Sequence, residues 1–151
     1  QVACERDPGG SAPDIAAPNG SVSLADAGEG LHTLFVRGWD RNGQQTVAIF
    51  GPIGYDRTPP EPPSALAPVT LRSGRPELIS WTPAGDAASG VAGYRIYIGN
   101  DPEGISEWFT PLPEIEIPPL APGAHFLRVQ PIDYAGNAGG WVTVTTLVAQ
   151  P

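Results

Sequence analysis

Gly123-Ala124-His125-Phe126-Leu127-Arg128-Val129-Gln130-Pro131-Ile132-Asp133-Tyr134-Ala135-Gly136-Asn137 reads as a long strand running into a tight turn. The chain has carried the same pattern once before, as Gly30-Leu31-His32-Thr33-Leu34-Phe35-Val36-Arg37-Gly38-Trp39-Asp40-Arg41-Asn42-Gly43. In both copies the His stands eight positions ahead of the Asp. The correspondence extends upstream: Asp7-Pro8-Gly9 answers to Asp101-Pro102-Glu103-Gly104, and Val22 and Leu24 to Ile115 and Ile117. The offset stays at about 93 or 94, a period that belongs to an array of small domains and not to a solenoid. Residues 61–93 have no partner in the first copy. The chain therefore reads as one whole unit and about two-thirds of another, the first lacking its opening two strands.

Composition agrees with this division. Gly and Pro number 19 each among 151 residues, close to the level that signals disorder. Here, though, they separate short runs of Val, Ile, Leu, Thr, Tyr and Trp, as they do in turn-rich all-β domains. Hydrophobic residues make up 40 %, enough for a small sandwich core. The net charge of −8 comes with no Lys and no basic cluster, which argues against nucleic acid and against anionic membrane surfaces as partners. No stretch has the length of a membrane span, so membrane insertion is not expected. One Cys cannot form a disulfide within the chain, so it gives no redox compartment.

Strand signals in the complete unit come at short spacing. They fall at 65–71, 77–81, 94–98, 108–110, 114–117, 125–133 and 141–148, entered through the Pro-rich stretch Thr58-Pro59-Pro60-Glu61-Pro62-Pro63. Ile79 and Trp81 share one face by period-two alternation, as do Tyr94, Ile96 and Ile98. Seven short strands in about 90 residues, without helical spacing, predict a two-sheet antiparallel sandwich.

Certain of these residues carry a resemblance. Ile79-Ser80-Trp81-Thr82-Pro83, Gly93-Tyr94-Arg95-Ile96-Tyr97-Ile98, Leu120-Ala121-Pro122-Gly123-Ala124-His125 and Asp133-Tyr134-Ala135-Gly136-Asn137 together resemble a bacterial fibronectin type III or related immunoglobulin-like repeat. Asp56-Arg57-Thr58-Pro59-Pro60 resembles the joint between tandem repeats of that kind. The resemblance implies an all-β fold of tandem antiparallel sandwiches. It gives a partial one at 1–57, a stiff Pro-rich linker at 58–63 and a complete one at 64–151. It says almost nothing of function, because the fold hosts many roles. In one respect the chain departs from the family. His32 and His125 stand where the family has a Tyr whose hydroxyl makes a corner hydrogen bond, so both His are expected to be corner residues, with metal ligation or acid–base catalysis as the rival reading.

Other chemistry-bearing residues each have two readings. Asp40 with Asn42, and Asp133 with Asn137, place oxygens close together in a turn and are candidate calcium ligands, Asp56 being a further donor; equally, Asp can bond its own turn backbone. A lone Asp–Asn pair supplies too few of the six or more oxygens calcium takes, so no cofactor is expected. Glu114 and Glu116 lie on the same outward strand face, and paired carboxylates invite a glycosidase reading, but no aromatic cleft signature surrounds them and a solvated face is the other reading. No nucleophile elbow, zinc-binding His pair or phosphate-cradling loop occurs, and no catalytic residues are assigned. Phe35 and Trp39 in the first copy, and Phe126 in the second, should face outward as a candidate binding face for carbohydrate or a protein neighbour.

Alignment of the copies sets Val2 against Ile96 and Cys4 against Ile98, so Cys4 is expected in a core, or else in an intermolecular disulfide. The expected protein is a non-catalytic extracellular or cell-surface module, structural, adhesive or fibre-forming. Its missing strands would come from the preceding part of the same protein or from other copies of itself. The alternative is an accessory carbohydrate- or calcium-binding module of a secreted hydrolase.

Overall fold

The computed structural model describes residues 2–4 and 28–151. Ten strands occur among them, and no helix: β1 (Val2–Cys4), β2 (Gly30–Trp39), β3 (Gln45–Tyr55), β4 (Val69–Leu71), β5 (Glu77–Ser80), β6 (Val91–Gly99), β7 (Phe109–Thr110), β8 (Glu114–Ile117), β9 (Gly123–Asp133) and β10 (Val142–Ala149). The chain divides into two compact units, residues 1–57 and 58–151.

The second unit is a sandwich of a five-stranded sheet, ordered β4-β10-β9-β6-β7, and a two-stranded sheet, β5-β8. Alternation along the strands decides what lies between the sheets. On β9 the odd-numbered residues His125, Leu127, Val129, Pro131 and Asp133 are buried. Opposite them come Ile79 from β5 and Ile117 from β8, with Trp81 just beyond β5. Leu71, Tyr94, Ile96, Val144 and Leu147 complete the core. Each fully buried aliphatic side chain contributes about 2 kcal/mol of transfer free energy. The Trp81 and Tyr94 rings meet edge to face at 5.3 Å, and the Tyr94 hydroxyl accepts a hydrogen bond from Ala84 N at 2.8 Å. Tyr94 is thus a core filler whose polar end is satisfied by backbone.

Two details differ from the sequence reading. The expected strand at 65–71 shrinks to Val69–Leu71, and it runs parallel to β10, not antiparallel to a neighbour. Pro68 has no N–H to give a ladder, which sets the start of the strand at Val69. Before it, Leu66 N donates to Val144 O and Thr145 Oγ1 donates to Ala67 O, so the segment still follows the β10 edge. The second difference concerns the stretch 58–63. Glu61 bridges Gly85, with Glu61 N donating to Gly85 O at 2.8 Å, and Pro60 and Pro63 are buried. These residues fold as part of the second unit, because backbone donors beside a sandwich edge find partners there.

The first unit contains one antiparallel sheet, β1-β2-β3. Val2 pairs with Val36 and Cys4 with Leu34. In the second unit Ile96 pairs with Val129 and Ile98 with Leu127, at the positions that the sequence offset matches to those four. The hairpins agree as well: Gly30 lies opposite Tyr55 and Leu31 opposite Gly54, as Gly123 lies opposite Ala149 and Ala124 opposite Val148. Both hairpins contain a register shift, after His32 in one and between Thr143 and Thr145 in the other. Burial, by contrast, differs sharply. β10 is half-buried or buried throughout, while eight successive residues of β3, Gln45 to Pro52, are exposed.

Candidate functional site

The two Asp turns are built alike. Asp40 Oδ1 accepts from Asn42 N at 2.8 Å and from Gln44 N at 2.9 Å, and Gly43 N donates to Asp40 O. Asp133 Oδ1 accepts from Asn137 N at 2.7 Å, its Oδ2 accepts from Asn137 Nδ2 at 2.8 Å, and Gly136 N donates to Asp133 O. Each carboxylate therefore closes its own turn, an Asx-type arrangement that fixes the chain reversal. Their surroundings differ. Asp133 is 2 % exposed, whereas Asp40 lies at the surface. Asp86, on the loop after β5, comes within 4.8 Å of Asp133, but its Oδ1 is engaged by Ala88 N at 3.1 Å and Gly90 N at 2.7 Å.

The two histidines are also equivalent. His32 Nε2 lies 2.9 Å from Gly28 O, and His125 Nε2 lies 2.9 Å from Ala121 O, each carbonyl four residues upstream. With a proton on Nε2, each ring donates to the chain just before its strand, as a corner Tyr would. Both rings are buried, at 6 % and 8 % exposure. Glu114 is half-buried and Glu116 exposed on β8, in the two-stranded sheet.

Pairing settles the outward faces. Phe35 lies opposite Ile49, Arg37 opposite Val47 and Trp39 opposite Gln45, so these six share the face away from His32, Leu34 and Val36. Trp39, Val47 and Ile49 are 43 %, 41 % and 64 % exposed. Val47 and Ile49 were not singled out from the sequence. Their alternation with Gln45 was legible, but only the register brings them beside Phe35 and Trp39. At the hairpin end, Gly38, Trp39, Asp40, Gln44, Gln45 and Thr46 line an open depression of about 370 Å³. An indole flanked by amides has the chemistry to stack on one face of a sugar and bond its hydroxyls.

The matching face of the second unit is filled by its own chain. Phe126, Arg128 and Gln130 lie outward on β9, opposite Gly99, Tyr97 and Arg95 of β6. Arg128, only 6 % exposed, donates from Nη1 to Gly104 O at 2.9 Å, and its guanidinium lies 6.0 Å from the Trp141 ring. Arg95 Nη1 donates to Gln130 Oε1 at 3.0 Å and its Nε pairs with Glu107 at 2.9 Å. The loop 100–108 is thereby tied across the sheet. Gly104 rests on the Tyr97 ring so closely that a Cβ there would overlap it. Phe126 is half-buried on this face, in contrast to the exposed Trp39. The Cys4 side chain lies outside the described residues; its backbone pairs with Leu34.

No family model matches the sequence, and no curated protein does. Among solved structures the chain is similar to the fibronectin(III)-like modules of Clostridium thermocellum CbhA, at 15 % identity and a TM-score of 0.43. The match covers 81 % of this chain and 63 % of that one. Within the second unit β5 and β8 form one sheet and β6, β9 and β10 the other, the division an immunoglobulin-like sandwich makes, while β4 departs from it by lying beside β10.

Proposed function

We propose that the protein is a non-catalytic structural module, built of two tandem fibronectin type III-like sandwiches and serving as a spacer in an extracellular or cell-surface protein. In this reading the first sandwich is completed by strands from outside the described residues, supplied by the same protein or by another copy. The observation that carries the reading is the shared register: Val2–Val36 and Cys4–Leu34 in one unit, Ile96–Val129 and Ile98–Leu127 in the other. The conspicuous polar side chains support it further. The buried Asp133, His125 and Arg128 are bonded to nearby backbone, so they act on the fold and not on a substrate.

A spacer must resist extension cooperatively. Pulling tandem copies of the chain in a force spectrometer tests this. The expected trace contains a recurrent step in which residues 58–151 unravel together, lengthening by about 3.4 Å per residue. Gradual extension without such a step would count against a mechanical role.

A second reading is favoured by Trp39 and its depression: the first unit binds carbohydrate there. Calorimetry with soluble glycans would then give a heat of binding that Trp39→Ala removes while Phe126→Ala leaves it intact.

A further inference from the structure

The second unit shows how this fold treats the outer edge of its last strand. β10 does not end its sheet: β4 lies beside it in parallel, with Val69 opposite Leu147, Thr70 opposite Val148 and Leu71 opposite Ala149. In the first unit the strand in that position is β3, and the matching residues are Ile53, Gly54 and Tyr55. Among the described residues β3 pairs with β2 and with no other strand. An edge of this kind presents a row of backbone donors and acceptors, which proteins blunt with charge, with proline or with a bulge. β3 has Pro52 and a register shift against β2 beside it, but no charge. All eleven residues of Gln45-Thr46-Val47-Ala48-Ile49-Phe50-Gly51-Pro52-Ile53-Gly54-Tyr55 are uncharged. The strand that covers β10, with its approach Ser64-Ala65-Leu66-Ala67-Pro68-Val69-Thr70-Leu71, is uncharged too.

Pro52 limits where a partner can pair. It lacks an N–H, so a regular ladder along β3 starts beyond it, at Ile53. From Ile53 to Tyr55 is three residues, the length of the β4–β10 ladder. The inner face demands a particular side chain as well. Leu71 is 3 % exposed against the core of the second unit and lies opposite Ala149, whose counterpart on the inner face of β3 is Tyr55.

We propose that the Ile53–Tyr55 edge of β3 is a strand-docking site. Its occupant is an uncharged, extended segment of the β4 type, entering parallel to β3 and placing an apolar residue inward beside Tyr55, as Leu71 lies beside Ala149. Main-chain hydrogen bonds supply affinity in this mode of recognition, and the inward side chain supplies selectivity. The inference rests on the reading of the first unit as a sandwich completed from outside, and it adds the edge, the direction and the register.

Hydrogen exchange on the full chain tests it, with a synthetic peptide of residues 64–71, blocked at both ends, as the probe. Exchange is measured first without peptide. Faster exchange in β2 than in β9 is the result expected of an incompletely covered sheet. Peptide in excess is then expected to slow the amides of residues 53–55 about tenfold or more. The Leu71→Asp peptide, which would carry a charge into the core, is expected to slow none of them. Two results overturn the proposal: no slowing at 53–55, or slowing confined to residues 142–149, where the peptide would only replace β4. If β2 and β9 already exchange equally slowly without peptide, the reading of an incomplete sandwich fails with it. Fast β2 exchange that the peptide leaves unchanged sinks the docking site alone.

Discussion

Asp40 and Asp133 make the same turn in different surroundings, which separates the value of the bond from the value of its burial. Replacing Asp133 by Ala removes the carboxylate that accepts from Asn137 N and Nδ2, in a site only 2 % exposed at Asp133. The expected loss is about 2–3 kcal/mol in chemical denaturation, since hydrogen bonds to a charged acceptor are the stronger kind. Asp40→Ala exposes its donors to water and is expected to cost under about 1 kcal/mol. Equal losses at the two sites would show that burial is not the deciding factor. Calcium is expected to restore neither variant. At the corner, His125→Phe keeps the ring but loses the bond to Ala121 O, at an expected cost of about 1 kcal/mol. His125→Tyr is expected to recover most of it, because the hydroxyl can donate to the same carbonyl. Failure of Tyr to outperform Phe would remove the corner role. The sequence showed both histidines at equivalent positions; it could not show that each ring reaches a carbonyl four residues back.

At the scale of elements, the loop between β6 and β7 is the clearest case of a segment held from across the sheet, by Arg128 and Arg95. Arg128→Met removes the donor to Gly104 O, and the expected cost is about 1–3 kcal/mol, the penalty of a buried carbonyl without a partner. Glu103→Gln should cost little, because Glu103 is exposed and its contact with Arg128 is 3.4 Å long. The loop also depends on the absence of a side chain. Gly104→Ala forces a methyl into the Tyr97 ring and is expected to destabilise by about 1–3 kcal/mol. In the Tyr97→Leu background the same change should cost clearly less, a non-additivity that a double-mutant cycle would read directly. None of this was legible beforehand. Arg128 sits on a strand whose alternation marks it as outward, and outward Arg is ordinarily solvated. It is the return of the chain at 103–104 that buries it.

For the molecule as a whole, the two units should differ in how they open. Residues 58–151 contain two facing sheets and a contiguous core, so their slowest amides should exchange only by global unfolding of that unit. Among the described residues, 28–57 contribute two strands of one sheet, and β3 is largely exposed. Limited proteolysis is therefore expected to cut within 28–57 first and to leave a resistant fragment beginning close to Thr58. A first cut inside 91–133 would contradict that order.

Read alone, the sequence determined the all-β class, the strand positions of the second unit to within a few residues, and that Ile79 shares a face with Trp81 and Tyr94 with Ile96. It could do so because alternation, turn residues and proline act locally, and a period of two leaves little freedom about which side chains turn inward. Only the tertiary structure decided that β4 runs parallel to β10, that Thr58–Pro63 folds with the second unit, and that Val47 and Ile49 join Phe35 and Trp39 on one face. Those outcomes depend on which strand lies beside which, and strand pairing joins residues far apart in the chain, where no local pattern records the partner.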